Sequence, residues 1–160
     1  MKREFLTTAL IGAAAIVALP MTTALADSNG STQPTVITLT QTPCQFLESE
    51  AKDQGFKSTK KADCEAINAK TAEKRLKEAP VMKLKAGKYI FRVTNKNVPY
   101  GLGFYLRGAG IVGRVSLPKV SGGGLSLGVT KDYAIDLKPG EYVYSCPLNT
   151  TPDYTLIVEG

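Results

Sequence analysis

Few side chains in this 160-residue chain could do chemistry: three cysteines (Cys44, Cys64 and Cys146), scattered carboxylates that include Glu48 and Glu50, and no histidine at all. Imidazole is the commonest metal ligand and the usual general base near neutral pH, so its absence removes catalytic triads, His-based zinc sites and His-ligated copper. What remains is sulfur. A thiolate is a soft ligand for a metal such as copper or iron, and two thiols can close a disulfide. Cys146 follows Tyr142 and Tyr144 in period two, which puts its side chain on the core side at a strand end, either as a small buried thiol or as a ligand. Thr42-Pro43-Cys44-Gln45 reads as a helix start, with Thr42 as the cap, Pro43 in the first helical position and Gln45 completing a capping box. Cys44 then sits in a first turn, where the helix dipole favours its thiolate, and Glu48 and Glu50 follow one to two turns later. Cys146, Cys44 and Glu48 are therefore the candidate metal set, against the plainer reading of the carboxylates as solvated helix charges.

Three cysteines leave one unpaired within a monomer. Pairing Cys44 with Cys64 would staple the segment between them and contribute about 3 kcal/mol through chain entropy. That is the expected disulfide. Pairing Cys44 with Cys146, and three free thiols, stay open as alternatives. No C-x-x-C pair supports a thiol redox protein, and no catalytic residue is assigned; we expect a chain that is not an enzyme.

Glycine-rich stretches are the other candidates. Gly108-Ala-Gly110-Ile-Val-Gly113 matches G-x-G-x-x-G, but a dinucleotide cradle needs those glycines to open a helix, and Pro118 with the β-formers of 114–120 predicts none. Gly122, Gly123 and Gly124 could aim backbone donors at an oxyanion, yet no activated nucleophile accompanies them, so a flexible loop is expected.

The elements that must position the sulfurs are written as period-two runs. Val36, Thr38 and Thr40 alternate with Ile37, Leu39 and Gln41; Tyr89, Phe91 and Val93 alternate with Lys88, Ile90 and Arg92. Tyr133, Ile135 and Leu137, then Tyr142, Tyr144 and Cys146, then Tyr154, Leu156 and Val158 repeat the pattern between turns at Ala86-Gly87, Pro139-Gly140 and 149–152. Such strands predict a sandwich or barrel. Between the first strand and Val81 lies a polar helical insertion, about 43–79: one helix from Thr42 to Gly55 and a second over about 63–78, with Cys64, Ile67, Ala72 and Leu76 as its modest apolar side and Pro80 as its stop.

The N-terminus carries a compartment signal. Met1, Lys2 and Arg3 are a basic start, residues 5–19 an apolar stretch too short to span a bilayer, and Ala24-Leu25-Ala26 an A-x-A cleavage site. Residues 1–26 read as a signal peptide and 27–160 as one mature domain, periplasmic or secreted, where disulfides are permitted. Residues 27–34 are turn formers expected to fray. No membrane span is expected in the mature chain. The net charge of +6 falls to +5 when Lys2, Arg3 and Glu4 leave with the leader. Over Glu48 to Glu78 seven acidic and eight basic residues nearly cancel, so a nucleic-acid partner is not expected.

The stretches 84–95, 137–146 and 154–158 together resemble the cupredoxin family, over about 80 residues of the C-terminal half plus the strand from Val36 to Cys44. The run G-x-Y-x-Y-x-C from Gly140 to Cys146 before a short last strand carries most of the likeness. It is most similar to the EfeO-type domain of periplasmic iron-uptake proteins, whose first strand also ends in a cysteine, matched here by Cys44. The resemblance implies a mainly β, Greek-key sandwich. Blue-copper members use His, Cys, His and often Met; only Cys146 matches, Tyr100 falls where the first His would be, and the loop 147–153 holds neither His nor Met, so no type 1 copper site is expected. The resemblance implies an exported binding protein that holds a metal ion, copper or iron, or assists its uptake. The alternative is a metal-free interaction module that recognises a cell-envelope protein through rim loops at 98–102 and 148–153, with Tyr100, Leu148 and Asn149 as its contact residues.

Overall fold

The computed structural model describes residues 33–50 and 52–160, where the alternating segments pair into two sheets. The signal-peptide assignment, its cleavage site and most of the fraying segment lie outside the described residues. One sheet contains β1 (Thr35–Thr42), β2 (Gln45–Phe46), β4 (Gly87–Asn95) and β7 (Thr130–Leu137) in the order β2-β1-β4-β7. The other has the order β3-β9-β8-β5-β6, with β3 (Met82–Lys85), β5 (Leu102–Gly108), β6 (Val120–Leu125), β8 (Gly140–Ser145) and β9 (Tyr154–Glu159). β1 runs parallel to β4 and β3 parallel to β9, while the other pairs are antiparallel. The mainly β, two-sheet sandwich expected from the alternation is thus the architecture, with crossed connections of the Greek-key kind.

Each alternating run turns the expected side inward. Tyr89, Phe91, Val93, Tyr133, Ile135, Leu137, Tyr142, Tyr144, Tyr154, Leu156 and Val158 are buried between the sheets, together with Cys146. Phe104 lies at the centre, stacked on Phe91 at 5.5 Å and edge-on to Phe46 at 6.1 Å. Such aromatic packing dominates the burial energy of a small sandwich.

Four local expectations are corrected. The chain does not enter a helix at Thr42: Cys44 has φ +66 in a reversal between β1 and β2, and α1 is a single turn, Leu47–Glu50, rather than a helix to Gly55. The capping signals lose to distant partners. The Cys44 N–H donates to Asn149 Oδ1 at 2.9 Å, Arg75 Nη2 donates to the Cys44 carbonyl at 3.0 Å, and Gln45 turns instead to bond Lys52 and Gln54. The second helix is α2, Lys61–Glu78, but its buried side is Cys64, Asn68 and Arg75, while Leu76 is exposed. The 122–124 glycines form strand β6 rather than a loop.

The fourth correction is that a helix does follow the glycine motif: α3, Gly110–Ser116. It is not a phosphate cradle. Gly108 and Gly113 exist to let backbones touch, since a Cβ on Gly108 would lie 2.1 Å from the Gly113 carbonyl oxygen. Backbone cannot yield as a side-chain tip can. Gly108→Ala should therefore lower stability by about 1–3 kcal/mol in urea unfolding, the range for overpacking; a neutral result would mean that α3 shifts freely on β5.

Candidate functional site

The sulfurs gather at one end of the sandwich, but not as a metal set. Cys44 and Cys64 form a disulfide, the pairing expected from their spacing, and both are fully buried. Cys146 is the free thiol, also fully buried, at the end of β8. Between them lies Asn149. Its backbone N–H donates to Cys146 Sγ at 3.3 Å, and its side chain accepts from the Cys44 N–H while donating to the Thr42 carbonyl at 2.8 Å and to Gln41 Oε1 at 3.4 Å. Its Oδ1 lies 3.4 Å from Cys64 Sγ, a packing contact, since a disulfide sulfur has no proton to give. Gln41 closes the circuit by donating to the Gly103 carbonyl at 2.8 Å, and the Gly103 N–H donates to Cys146 Sγ at 3.4 Å.

This amide network already engages the free sulfur through the N–H groups of Gly103 and Asn149. Asn95 holds the neighbouring loop at 98–100, accepting from the Val98 N–H and donating to the carbonyls of Val98, Tyr100 and Leu125. Cys44 has given its sulfur to the disulfide, and Glu48 Oε2 instead accepts the Thr40 N–H at 2.6 Å on the exposed edge of β1. Among the described residues no three cysteine or carboxylate side chains converge. The donors do not fit a copper or iron centre, because the only free thiol, Cys146, is surrounded by neutral, already bonded amides.

Burial pushes the Cys146 thiol above its ordinary pKa, against the opposing bonds from Gly103 and Asn149. At neutral pH it is a protonated thiol and a poor nucleophile. A proton held more tightly in the folded chain makes stability full below the unfolded thiol's pKa of about 8.5 and progressively lost as pH rises toward the folded value. The tyrosines join later, as burial lifts Tyr144 to about 12 and raises Tyr100, Tyr133 and Tyr142. We expect the urea midpoint to fall from about pH 8.5 upward, with the portion below about pH 10 absent in Cys146→Ser. A flat profile in the parent would show that the folded thiol ionises as easily as the unfolded one.

The rim residues divide. Asn149 is fully buried, and half-buried Tyr100 spends its hydroxyl on Ser58 at 2.8 Å and on Cys64 Sγ at 3.6 Å. Neither presents its polar group to a partner. Leu148 is 45% exposed and borders an open groove of about 680 Å³, lined also by Phe104, Tyr105, Lys119, Gly123 and Pro147.

Sequence reasoning missed the buried charge next door. Arg75 of α2 donates to Glu50 through Nε at 3.0 Å and Nη2 at 2.5 Å, with side chains only 5% and 2% exposed. Glu50 also accepts the Tyr154 hydroxyl, and Arg75 also binds Asn68 and lies 4.8 Å over the Phe56 ring. No local signal marks the pair, since its members are 25 residues apart.

No family model and no curated protein matches the chain. Among solved structures it is similar to auracyanin B, with a TM-score of 0.49 and 14% identity over 80% of this chain and 91% of that one. It is also similar to an oxidised mutant of amicyanin, with a TM-score of 0.34 and 19% identity over 51% of this chain and 71% of that one. These are likenesses of fold, and the architecture stands on the strand order itself.

Proposed function

We propose that the chain is an exported, cupredoxin-like binding module that works without a metal centre and recognises a cell-envelope partner through the groove beside Leu148. The observation that carries this reading is Asn149, bonded at once to the free thiol and to the turn that holds the disulfide. Binding copper or iron through Cys146 and Cys44 would require the disulfide to be reduced and Asn149 to be displaced from four hydrogen bonds. Export is supported by the leader pattern and by a disulfide, which persists in oxidising compartments. The groove adds apolar wall from Phe104, Pro147 and Leu148 to a cation, Lys119, a mixture suited to a polypeptide partner.

Metal analysis after incubation with copper and iron salts and desalting should find neither ion near stoichiometry, and neither should raise the melting temperature. Stoichiometric metal that disappears in Cys146→Ser would restore the metal-uptake reading. A photo-crosslinking residue at position 148 should capture one discrete envelope protein in cells. Equal capture by a crosslinker on the opposite sheet would remove the groove.

A further inference from the structure

The helix α3 presents its aliphatic side chains to water. Ile111, Val112 and Val115 are 85%, 79% and 86% exposed, whereas Leu117, just beyond the helix, is the residue that packs inward against Gly140. Helix propensity does not explain them, because β-branched residues are poor formers of an exposed helix. Nor can they fold down, because the Gly108 to Gly113 backbone contact seats the helix flush on β5. Three exposed aliphatics on one short helix form the kind of apolar patch that marks an interaction surface.

The charge around it identifies the class of cover. Charges balance over 48–78, whereas from Ala79 to Lys131 there is no acidic residue and there are nine lysines and arginines, of which Lys85, Arg92 and Arg107 are paired with Glu159, Asp132 and Asp153 on other elements. Arg114 lies within α3, Lys119 follows it, and Lys138 stands at the turn before Gly140, against which Leu117 packs. The acid beside them is Glu141, whose carbonyl accepts the Ala109 N–H at 2.9 Å. The three exposed side chains include no aromatic anchor, so the knuckle does not resemble a protein hot spot. Short aliphatics beside Arg114 and Lys119 fit a yielding surface that is apolar beneath and negative above.

We infer that α3 is a peripheral membrane contact, in which Ile111, Val112 and Val115 enter the headgroup boundary of an anionic bilayer while Arg114 and Lys119 meet its phosphates. The surface shares only Lys119 with the groove beside Leu148 and does not depend on the groove's partner. Contact at this depth spans nothing, in keeping with the absence, among the described residues, of a helix long and apolar enough to cross a membrane.

Flotation with vesicles of equal phosphatidylglycerol and phosphatidylcholine, compared with phosphatidylcholine alone, tests this at low and high salt. The protein should float with the anionic vesicles only, and less in high salt. Ile111→Ser with Val115→Ser should reduce the bound fraction about tenfold or more, given the worth of each buried methylene. Arg114→Gln with Lys119→Gln should weaken binding and flatten its salt dependence, and Leu148→Ser should leave it unchanged. The substituted side chains stand in solvent, so unchanged melting temperatures will show that folding is intact, and comparing variants on one chain cancels whatever residues 1–32 contribute. Failure of the parent to float, or equal floating by the double serine variant, overturns the inference. So does a parent dimer in sedimentation that the same variant dissolves, since the cover would then be a second copy.

Discussion

Arg75→Ala should lower the stability of the fold by about 3–5 kcal/mol, the usual penalty for leaving one member of a buried ion pair alone. The expectation rests on Glu50, whose side chain is 2% exposed and loses its one cationic partner when the guanidinium leaves. Tyr154 and Gln54 still donate to it, but neither supplies charge. The Cys44 carbonyl and Asn68 lose a donor in the same step, so α2 is loosened from the β1–β2 turn as well as from α1. Arg75→Met with Glu50→Gln should be markedly less damaging than Arg75→Ala alone, because no unpaired charge then remains inside. Urea unfolding of the three chains measures both effects. A loss under about 1 kcal/mol for Arg75→Ala would show that water reaches Glu50 and that the pair acts as a surface bridge does.

That pair also shows where sequence reading stops. The strands β1, β4, β7, β8 and β9 were legible because one face of each is core and the other solvent, so composition alternates with the pleat. β5 and β6 broke the rule for opposite reasons: β5 is buried on nearly every residue, and β6 replaces side chains with glycines whose carbonyls are met by Tyr133 and Lys131. In α2 the buried residues besides the disulfide-bonded Cys64 are polar, and Arg75 is interior only because Glu50 waits there, a fact no hydrophobic period encodes. The site divides in the same way. Spacing favours the disulfide over the alternatives it leaves open and strand phase gives the burial of Cys146, but Asn149 as the plug between them depends on contacts more than 100 residues long. Thr42-Pro43-Cys44-Gln45 carried a sound helix signal that was overruled by partners it could not reveal.

The disulfide has the second large expected effect. Cys64→Ser, or reduction of the parent chain, should remove about 3 kcal/mol, the chain-entropy value for a loop of this length. The cross-link joins the start of α2 to the β1–β2 turn across 20 positions, and it ties a residue whose φ of +66 an L side chain rarely adopts. Once the bond is gone that turn is held by Asn149, Arg75 and Asn68 through its backbone groups. Position 44 should then prefer glycine: with the disulfide absent in both, Cys44→Gly should be more stable than Cys44→Ala by about 1 kcal/mol, since only the alanine keeps a Cβ at positive φ. A non-reducing digest of the parent should yield one peptide linking Cys44 to Cys64, with Cys146 as the single thiol that reacts under denaturing conditions. A link from Cys44 to Cys146 would overturn the site as described, and equal stability of the glycine and alanine variants would place Cys44 in an ordinary turn.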